Sequence, residues 1–209
     1  MKQNQADELT YDLIKKYYSY YLHDEQSFIN TIQYVELDQD NCKTAYSSEY
    51  CNILTCTCMD FEALLRVYLK NSDERELNEQ YFIKSIEDDE NLKRSSEETV
   101  KVIKGNYDDL TPLHINENPK DHSKHFSKFW NSYNKVKHHK ITGIQSANQI
   151  TTLNALAALY VLECYILKKM ADNEGKVDLF DVESKLFRLN VLKTNNTQAN
   201  LVFGKILFF

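Results

Sequence analysis

Residues 48–70 read SEYCNILTCTCMDFEALLRVYLK, and this stretch decides the fold class. Apolar side chains recur in it at i, i+4, i+7, i+11 and i+14, at positions Leu54, Cys58, Phe61, Leu65 and Tyr68. That spacing follows the turns of an α-helix and produces one continuous apolar face. The polar residues 38–48 before it are typical of a loop that ends in an N-cap at Ser47 or Ser48. We therefore predict a long core helix here.

Helical spacing is repeated in three other stretches. Residues 7–37 carry apolar and tyrosine side chains at largely helical intervals, with charges between them. A further helix is expected over about Lys124–Ile141. The next begins at Ser146-Ala147-Asn148-Gln149, a sequence of capping-box form, and ends before Gly175. The short connection between these two helices predicts that they pack antiparallel.

The composition supports a mainly α protein. Only four Gly and two Pro occur in 209 residues, whereas multi-turn β folds and flexible linkers are rich in both. We expect a bundle of about four to six helices in one domain over residues 1–209. Its expected parts are a core of residues 7–37, 48–70 and 123–171, an insert of residues 71–120, and a C-terminal extension of residues 172–209.

The insert and the extension have weaker patterns. Residues 71–99 are acidic and predict a short helix within a loop-rich segment. Val100 and Val102 alternate with polar residues and precede a turn signal at Gly105-Asn106, so a small hairpin with residues 110–115 is expected. Residues 201–209 are too apolar to stay in water and must either cover the core or meet a partner.

The charge distribution restricts the class of partner. A net charge of −6 argues against a protein that coats nucleic acid over its whole surface. Residues 120–140 are the exception, with six Lys and four His against one acid, Asp121. No apolar signal segment follows Met1–Thr10, and no window reaches the roughly 18 uncharged apolar residues of a membrane span. We expect a soluble cytoplasmic protein without membrane contact.

The five cysteines predict reduced thiols rather than a metal site. Cys42, Cys51, Cys56 and Cys58 lack the paired spacing of closed zinc sites. If residues 48–70 are helical, Cys51 and Cys58 share a face while Cys56 points elsewhere. No metal and no cofactor are expected.

The most informative chemistry lies in Trp130–Lys140. On a helix, one stripe contains Phe126, Trp130, Tyr133, Asn134, Lys137 and His138. Its first turns are aromatic, whereas its last turns present an amide, an ammonium and an imidazole group. Either the stripe runs from the core into a polar pocket, or the aromatic residues pack and the Lys and His form a solvated helix end that the helix dipole favours.

This segment resembles the HEPN superfamily of helical domains associated with RNA and nucleotides, whose signature is Arg-x4-6-His. The match places Tyr133 at the Arg position, Asn134 at the polar position after it, and His138 at the signature His. It is also similar to bacterial proteins with a Trp-x2-Tyr-Asn-x2-Lys-His run. The resemblance implies a helical bundle, a homodimer or a protein partner, and a role in bacterial defence, stress or toxin–antitoxin systems.

Two hypotheses about function follow from the resemblance. In the first, the protein is a metal-independent endoribonuclease in which His138 is the acid/base and Asn134 and Lys137 contact phosphate or ribose. Other expected contacts come from Tyr133, Lys140, His139 and Trp130, with Asp60 or Glu62 orienting the site. In the second, a non-catalytic module uses the same helix to bind a nucleic-acid or protein partner. Tyr133 separates the two, because a neutral phenol lacks the charged fork of Arg.

Overall fold

The fold was analysed in a computed structural model, which describes residues 9–40, 42–70, 78–120, 122–126, 128–174, 183–189, 192–193, 198–202 and 205–208. Its helices are α1 (Tyr11–Ile32), α2 (Ser48–Tyr68), α3 (Glu79–Asp88), α4 (Glu90–Ser96), α5 (Lys128–His138), α6 (Lys140–Gly143) and α7 (Gln149–Glu174). The strands are β1 (Val100–Val102), β2 (Asn116–Glu117), β3 (Lys124–His125), β4 (Phe187–Leu189), β5 (Leu192–Lys193), β6 (Gln198–Val202) and β7 (Lys205–Phe208). The mainly α fold with a small β insert is therefore confirmed.

The centre of the bundle is formed by α1, α2 and α7. Thr57 Oγ1 donates to Asp24 Oδ2 at 2.7 Å, and the rings of Phe28 and Tyr50 lie 5.7 Å apart. Later residues of α1 thus meet earlier residues of α2, so these helices are antiparallel. The first turns of α2 and α7 meet where Thr152 Oγ1 donates to the Tyr50 carbonyl, and later turns meet where Lys169 Nζ donates to the Tyr68 hydroxyl. Helices α2 and α7 therefore run in the same direction.

Helix α7 is enclosed by the rest of the bundle, because α1, α2, α4 and α5 all pack against it. By length and composition, Gln149–Asn173 is apolar enough to cross a membrane, with a mean hydropathy of 1.6. However, 94% of that window is buried inside the protein, which is the pattern of a core helix. Burial on every side explains why its sequence is apolar all round rather than amphipathic.

The apolar face predicted for residues 48–70 is confirmed, and residues of α5 and α7 join it in the core. Buried together in one hydrophobic cluster are Leu54, Phe61, Leu65, Trp130, Leu153, Leu156, Tyr160 and Val161. The tyrosines in the first half of α1 lie on different faces of the helix. Tyr18 and Tyr21 enter the core, whereas Tyr20 is exposed.

The insert differs from its predicted form. Two helices, α3 and α4, occupy the acidic segment, and strand β1 pairs mainly with β4 rather than with residues 110–115. Only a single bridge joins Val100 to Leu110, through two backbone hydrogen bonds of 2.8 Å. Gly105 adopts φ +70°, and an added Cβ there would lie 2.1 Å from the Leu37 carbonyl oxygen. Gly105 has the left-handed backbone that glycine favours, but the predicted hairpin is wrong, because the partner strand of β1 comes from the C-terminal extension.

The part of the C-terminal extension that forms β4 covers the core. Leu186, Phe187 and Leu189 are buried, and the Phe187 ring lies 6.0 Å from the ring of Tyr160. The carboxylate of buried Glu25 holds this segment by accepting hydrogen bonds from the backbone N–H groups of Lys185 and Leu186. The side chains of the apolar run 201–209 lie outside the described residues.

Helix caps were predicted correctly for α2 but not for α7. Ser47 Oγ accepts from Tyr50 N at 3.0 Å, as expected of the α2 N-cap. At α7 the reciprocal pair is Asn148 and Thr151, each of whose side chains accepts from the other's backbone N–H. Gln149 does not join a capping box with Ser146. It is buried, and it donates to the carbonyls of Val35 and Glu36 instead.

Candidate functional site

The helix that carries the site is shorter than predicted. Lys124 and His125 form β3 opposite β2, and Phe126 N donates to Glu79 Oε1 at 3.0 Å. This contact keeps the chain extended up to Phe126, so α5 begins only at Lys128. At its other end, His139 leaves the helical conformation with φ −140° and ψ 56°. Phe126 therefore lies outside the helical stripe, although it is buried beside it.

The first half of α5 belongs to an aromatic cluster. Trp130 is 4% exposed and makes ring contacts with Phe61, Phe82, Phe126, Phe129 and Tyr133, with centroids 5.6 to 6.3 Å apart. Tyr133 is only 2% exposed. The sequence left two alternatives for these residues, ligand contact or packing, and the structure places both in the core. An Arg at position 133 would have to bury its guanidinium among these rings, at a large desolvation cost.

A polar cluster lies where α5 crosses α2, and we call it the Glu62 cluster: Glu62, Arg66, Tyr133 and Lys137. The Glu62 carboxylate accepts a hydrogen bond from Arg66, and the Lys137 ammonium lies 3.9 Å from its other oxygen. Lys137 Nζ also lies 5.3 Å from the centroid of the Tyr133 ring, within cation–π range. Burial raises the pKa of the Tyr133 hydroxyl well above its usual range, and the Glu62 carboxylate raises it further. The phenol is therefore neutral.

The last turn of α5 presents polar groups to solvent. Asn134 is half-buried, while Lys135, Lys137, His138 and His139 are exposed. The side chain of Lys140 lies outside the described residues. Three of these basic residues, Lys135, Lys137 and His138, are in the last turn, where the negative end of the helix dipole favours positive charge. The structure thus brings Lys137 and His138 to one exposed helix end, next to Asn134.

Asp60 lies on the other side of α2 from this surface. Two residues along a helix are about 200° apart, so Asp60 and Glu62 point in nearly opposite directions. Burial and the neighbouring Asp24 carboxylate raise the pKa of Asp60 to about 6, and Asp60 in turn raises the pKa of Glu163 on α7. Of the two acids expected near α5, Glu62 is the one that meets it.

Arg66 is the member of the site that the sequence analysis missed. Glu62 and Arg66 are four residues apart, which is the spacing of an ion pair on one helix face. That signal was present in the sequence. It did not by itself indicate that this face of α2 meets α5.

Gly143 fixes the path of the chain after α5. A Cβ at this position would lie 2.6 Å from the Lys135 carbonyl oxygen, so α6 can approach α5 only because residue 143 lacks a side chain. We expect Gly143→Ala to lower the free energy of unfolding by about 1–3 kcal/mol, because the added methyl group forces the backbones apart. Urea denaturation measures this change. The exposed neighbour Thr142 provides the control, and equal effects of Gly143→Ala and Thr142→Ala would contradict the prediction.

The cysteines agree with the predicted split between helix faces, since Cys42, Cys51 and Cys58 are buried and Cys56 is exposed. Within the described ranges, no three His, Cys, Asp or Glu side chains are grouped so as to hold a metal ion.

Comparisons with protein-family profiles, with characterised proteins and with solved structures find no match to this chain. The resemblance to HEPN domains therefore depends on the residues of α5 alone.

Proposed function

We propose that this protein is a HEPN-like helical module that binds RNA without cleaving it, through the exposed end of α5. The observation that carries the proposal is the burial of Tyr133 at the position where the signature requires Arg. The basic residues one turn later remain exposed. By analogy with the superfamily, a role in a bacterial defence or stress system is part of the proposal.

The charge pattern supports RNA as the ligand. Lys135, Lys137, His138 and His139 are exposed on a protein whose net charge is −6, so the positive field is concentrated at one place. Phosphate groups bind where such a local field releases condensed counterions. The half-buried Asn134 amide adds a donor and an acceptor for ribose or a base edge.

Binding is favoured over catalysis because Arg66, the arginine that the described residues place in the Glu62 cluster, is already paired with a carboxylate. Cleavage of RNA by an imidazole acid/base also requires a cation that stabilises the charged phosphorane. The Arg66 side chain is held by Glu62 on α2, and Lys137 is shared between Glu62 and the Tyr133 ring. Lys137 can supply a point charge for phosphate binding, but not the planar fork of Arg.

The test is RNA affinity measured over a salt series. A labelled single-stranded RNA is titrated with the wild type, with Lys135→Ala/Lys137→Ala, and with Lys84→Ala as a control that removes an exposed lysine of α3. We expect the double variant to bind at least tenfold more weakly at low salt. Its slope of log affinity against log salt should fall by about 1.4, since each lost phosphate contact removes about 0.7 for a single strand. The control should bind like the wild type.

The same RNA is incubated in EDTA with the wild type and His138→Ala. Intact RNA in both samples agrees with a binding module. Metal-independent cleavage that His138→Ala abolishes would replace the proposal by the endoribonuclease hypothesis. If the double variant and Lys84→Ala bind RNA equally, this end of α5 is not the RNA surface, and a protein partner becomes the better hypothesis.

A further inference from the structure

A large groove lies away from the Glu62 cluster, between the end of α1, the connection to α2, and the first turn of α2. Its volume is about 710 Å³, within the range of roughly 300–1,000 Å³ typical of small-molecule sites. The lining combines aromatic rings with neutral polar groups and one acid: Asn30, Gln33, Tyr34, Tyr46, Glu49 and Tyr50 are the members used below.

Two tyrosines of the groove are strongly exposed. Tyr34 is 83% and Tyr46 is 50% accessible, although large aromatic side chains normally gain free energy by burial. The backbone holds both in place: Tyr34 N donates to the Thr31 carbonyl at 3.0 Å, and Tyr46 forms a β-bridge with Asn148. Exposed rings on a fixed backbone provide a ready stacking surface for a planar ligand.

The polar groups of the groove suit the edge of a heterocyclic base. Asn30 and Gln33 each offer an amide with both a donor and an acceptor, the pairing that recognises adenine and similar base edges. The side-chain oxygen of Asn30, Oδ1, accepts from Gln26 Nε2 at 3.0 Å, which orients the amide. The buried Tyr50 hydroxyl, which also lines the groove, accepts from Thr31 and from Gln149. These two hydrogen bonds hold the Tyr50 ring in place.

The charge of the groove selects against phosphate. Among the described residues of the lining, Glu49 is the one with a charged side chain. It lies in the first turn of α2, where its carboxylate offsets the positive end of the helix dipole. A carboxylate repels a phosphate but accepts hydrogen bonds from a vicinal diol such as that of ribose. A neutral ligand with a planar base and a ribose fits these conditions.

We propose that this groove binds a free purine nucleoside, with the base against the rings of Tyr34 and Tyr46 and the ribose hydroxyls donating to Glu49. A purine fits better than a pyrimidine because its larger ring system has more surface to stack. This site is separate from the proposed RNA surface on α5, and either can fail without the other.

The test is a titration of the full chain with adenosine, in which binding is measured by calorimetry or by NMR of the ligand. We expect saturable binding of adenosine, at least tenfold weaker binding of 5′-AMP, and weaker binding of 2′,3′-dideoxyadenosine. Tyr34→Ala and Tyr46→Ala should each weaken adenosine binding at least tenfold. Tyr20→Ala, which removes an exposed tyrosine of α1 outside the groove, should leave it unchanged.

Glu49→Gln tests the role of the carboxylate separately from that of the tyrosine rings. Removing the carboxylate should weaken adenosine binding and bring the affinities for adenosine and 5′-AMP together. Because Glu49 is exposed, the variant should keep its fold, which circular dichroism checks. Lys135→Ala/Lys137→Ala should bind adenosine like the wild type whether or not it binds RNA.

Three results would overturn the nucleoside site. One is the absence of saturable adenosine binding at millimolar concentration. Another is tighter binding of 5′-AMP than of adenosine to the wild type. The third is equal affinity of Tyr34→Ala, Tyr46→Ala and Tyr20→Ala for adenosine.

Discussion

Replacing Glu25 by alanine is expected to lower the free energy of unfolding by about 3–5 kcal/mol, because several buried donors lose a charged acceptor at once. The Glu25 carboxylate is 1% exposed and accepts from Tyr21, Ser184, and the backbone N–H groups of Lys185 and Leu186. These contacts connect α1 to the segment that leads into β4. Loss of Glu25 should therefore also expose the amides of β4 and its partner β1.

Urea denaturation measures the stability change, and hydrogen exchange on residues 100–102 and 187–189 measures the local opening. The control is Gln26→Ala. Gln26 touches the same segment by accepting from Lys185 Nζ at 2.8 Å, but its contact is exposed, so the cost should stay below about 0.5 kcal/mol. Equal losses in the two variants would show that Glu25 does not anchor the C-terminal extension.

Acidification from about pH 7 to about pH 5 is expected to stabilise this protein. Glu163 is fully buried in the core, and neither of its carboxyl oxygens has a hydrogen-bond partner among the described residues. Burial raises the pKa of Glu163 well above its usual range, and Asp60 raises it further. Burial also raises the pKa of Asp24 and, together with Asp24, raises the pKa of Asp60 to about 6.

The direction of the effect follows from proton linkage. A raised folded-state pKa means that the folded chain holds more protons than the unfolded chain at pH values between the two pKa values. Stability then rises as the pH falls through this window, from the folded pKa of about 6 or above down to about 4. A carboxyl that is protonated in the folded chain and ionised in the unfolded chain contributes up to about 1.4 kcal/mol per pH unit. Solvent screening reduces the contribution of the partly exposed Asp60. A total gain of about 1–3 kcal/mol is expected.

Glu163→Gln provides the decisive comparison, because it keeps the side-chain shape and removes the titrating proton. The variant should be more stable than the wild type above about pH 7, and its stability should depend less on pH. Glu36→Gln removes an exposed carboxylate and serves as the matched control. Urea denaturation at a series of pH values measures all three proteins. The prediction would be refuted if the wild type lost stability between pH 7 and pH 5, by as much as Glu163→Gln does over the same range.

The parts of the fold that sequence predicts well are those set by contacts within one helix. The apolar face of α2 follows from the spacing of Leu54, Phe61 and Leu65, and Ser47 caps its own helix. The start of α5 was misplaced because Phe126 N is bound by Glu79, a residue of another element. Likewise, β1 finds its partner in Phe187 and Leu189, which no local turn signal indicates.

The site shows the same division between local and distant contacts. Helical periodicity correctly grouped Asn134, Lys137 and His138 on one face of α5. The burial of Tyr133 depends on the packing of α5 against α2, where Phe61 meets Trp130, and the spacing within α5 does not show which helix covers it. Which of Asp60 and Glu62 meets α5 depends on how α2 is rotated about its axis, and only the assembled bundle defines that rotation.

The shared direction of α2 and α7 has a consequence for how the chain folds. The antiparallel pair of α1 and α2 closes through residues 33–47 alone, so it can form early. The face that α2 buries against α7 must wait until residues 69–148 have been made and looped back, since α7 begins only at Gln149. Core closure is therefore a late, long-range event, and such events slow folding. During synthesis, the faces of α1 and α2 that pack on α7 stay uncovered until most of the chain has been made, and apolar surface exposed in this way favours aggregation.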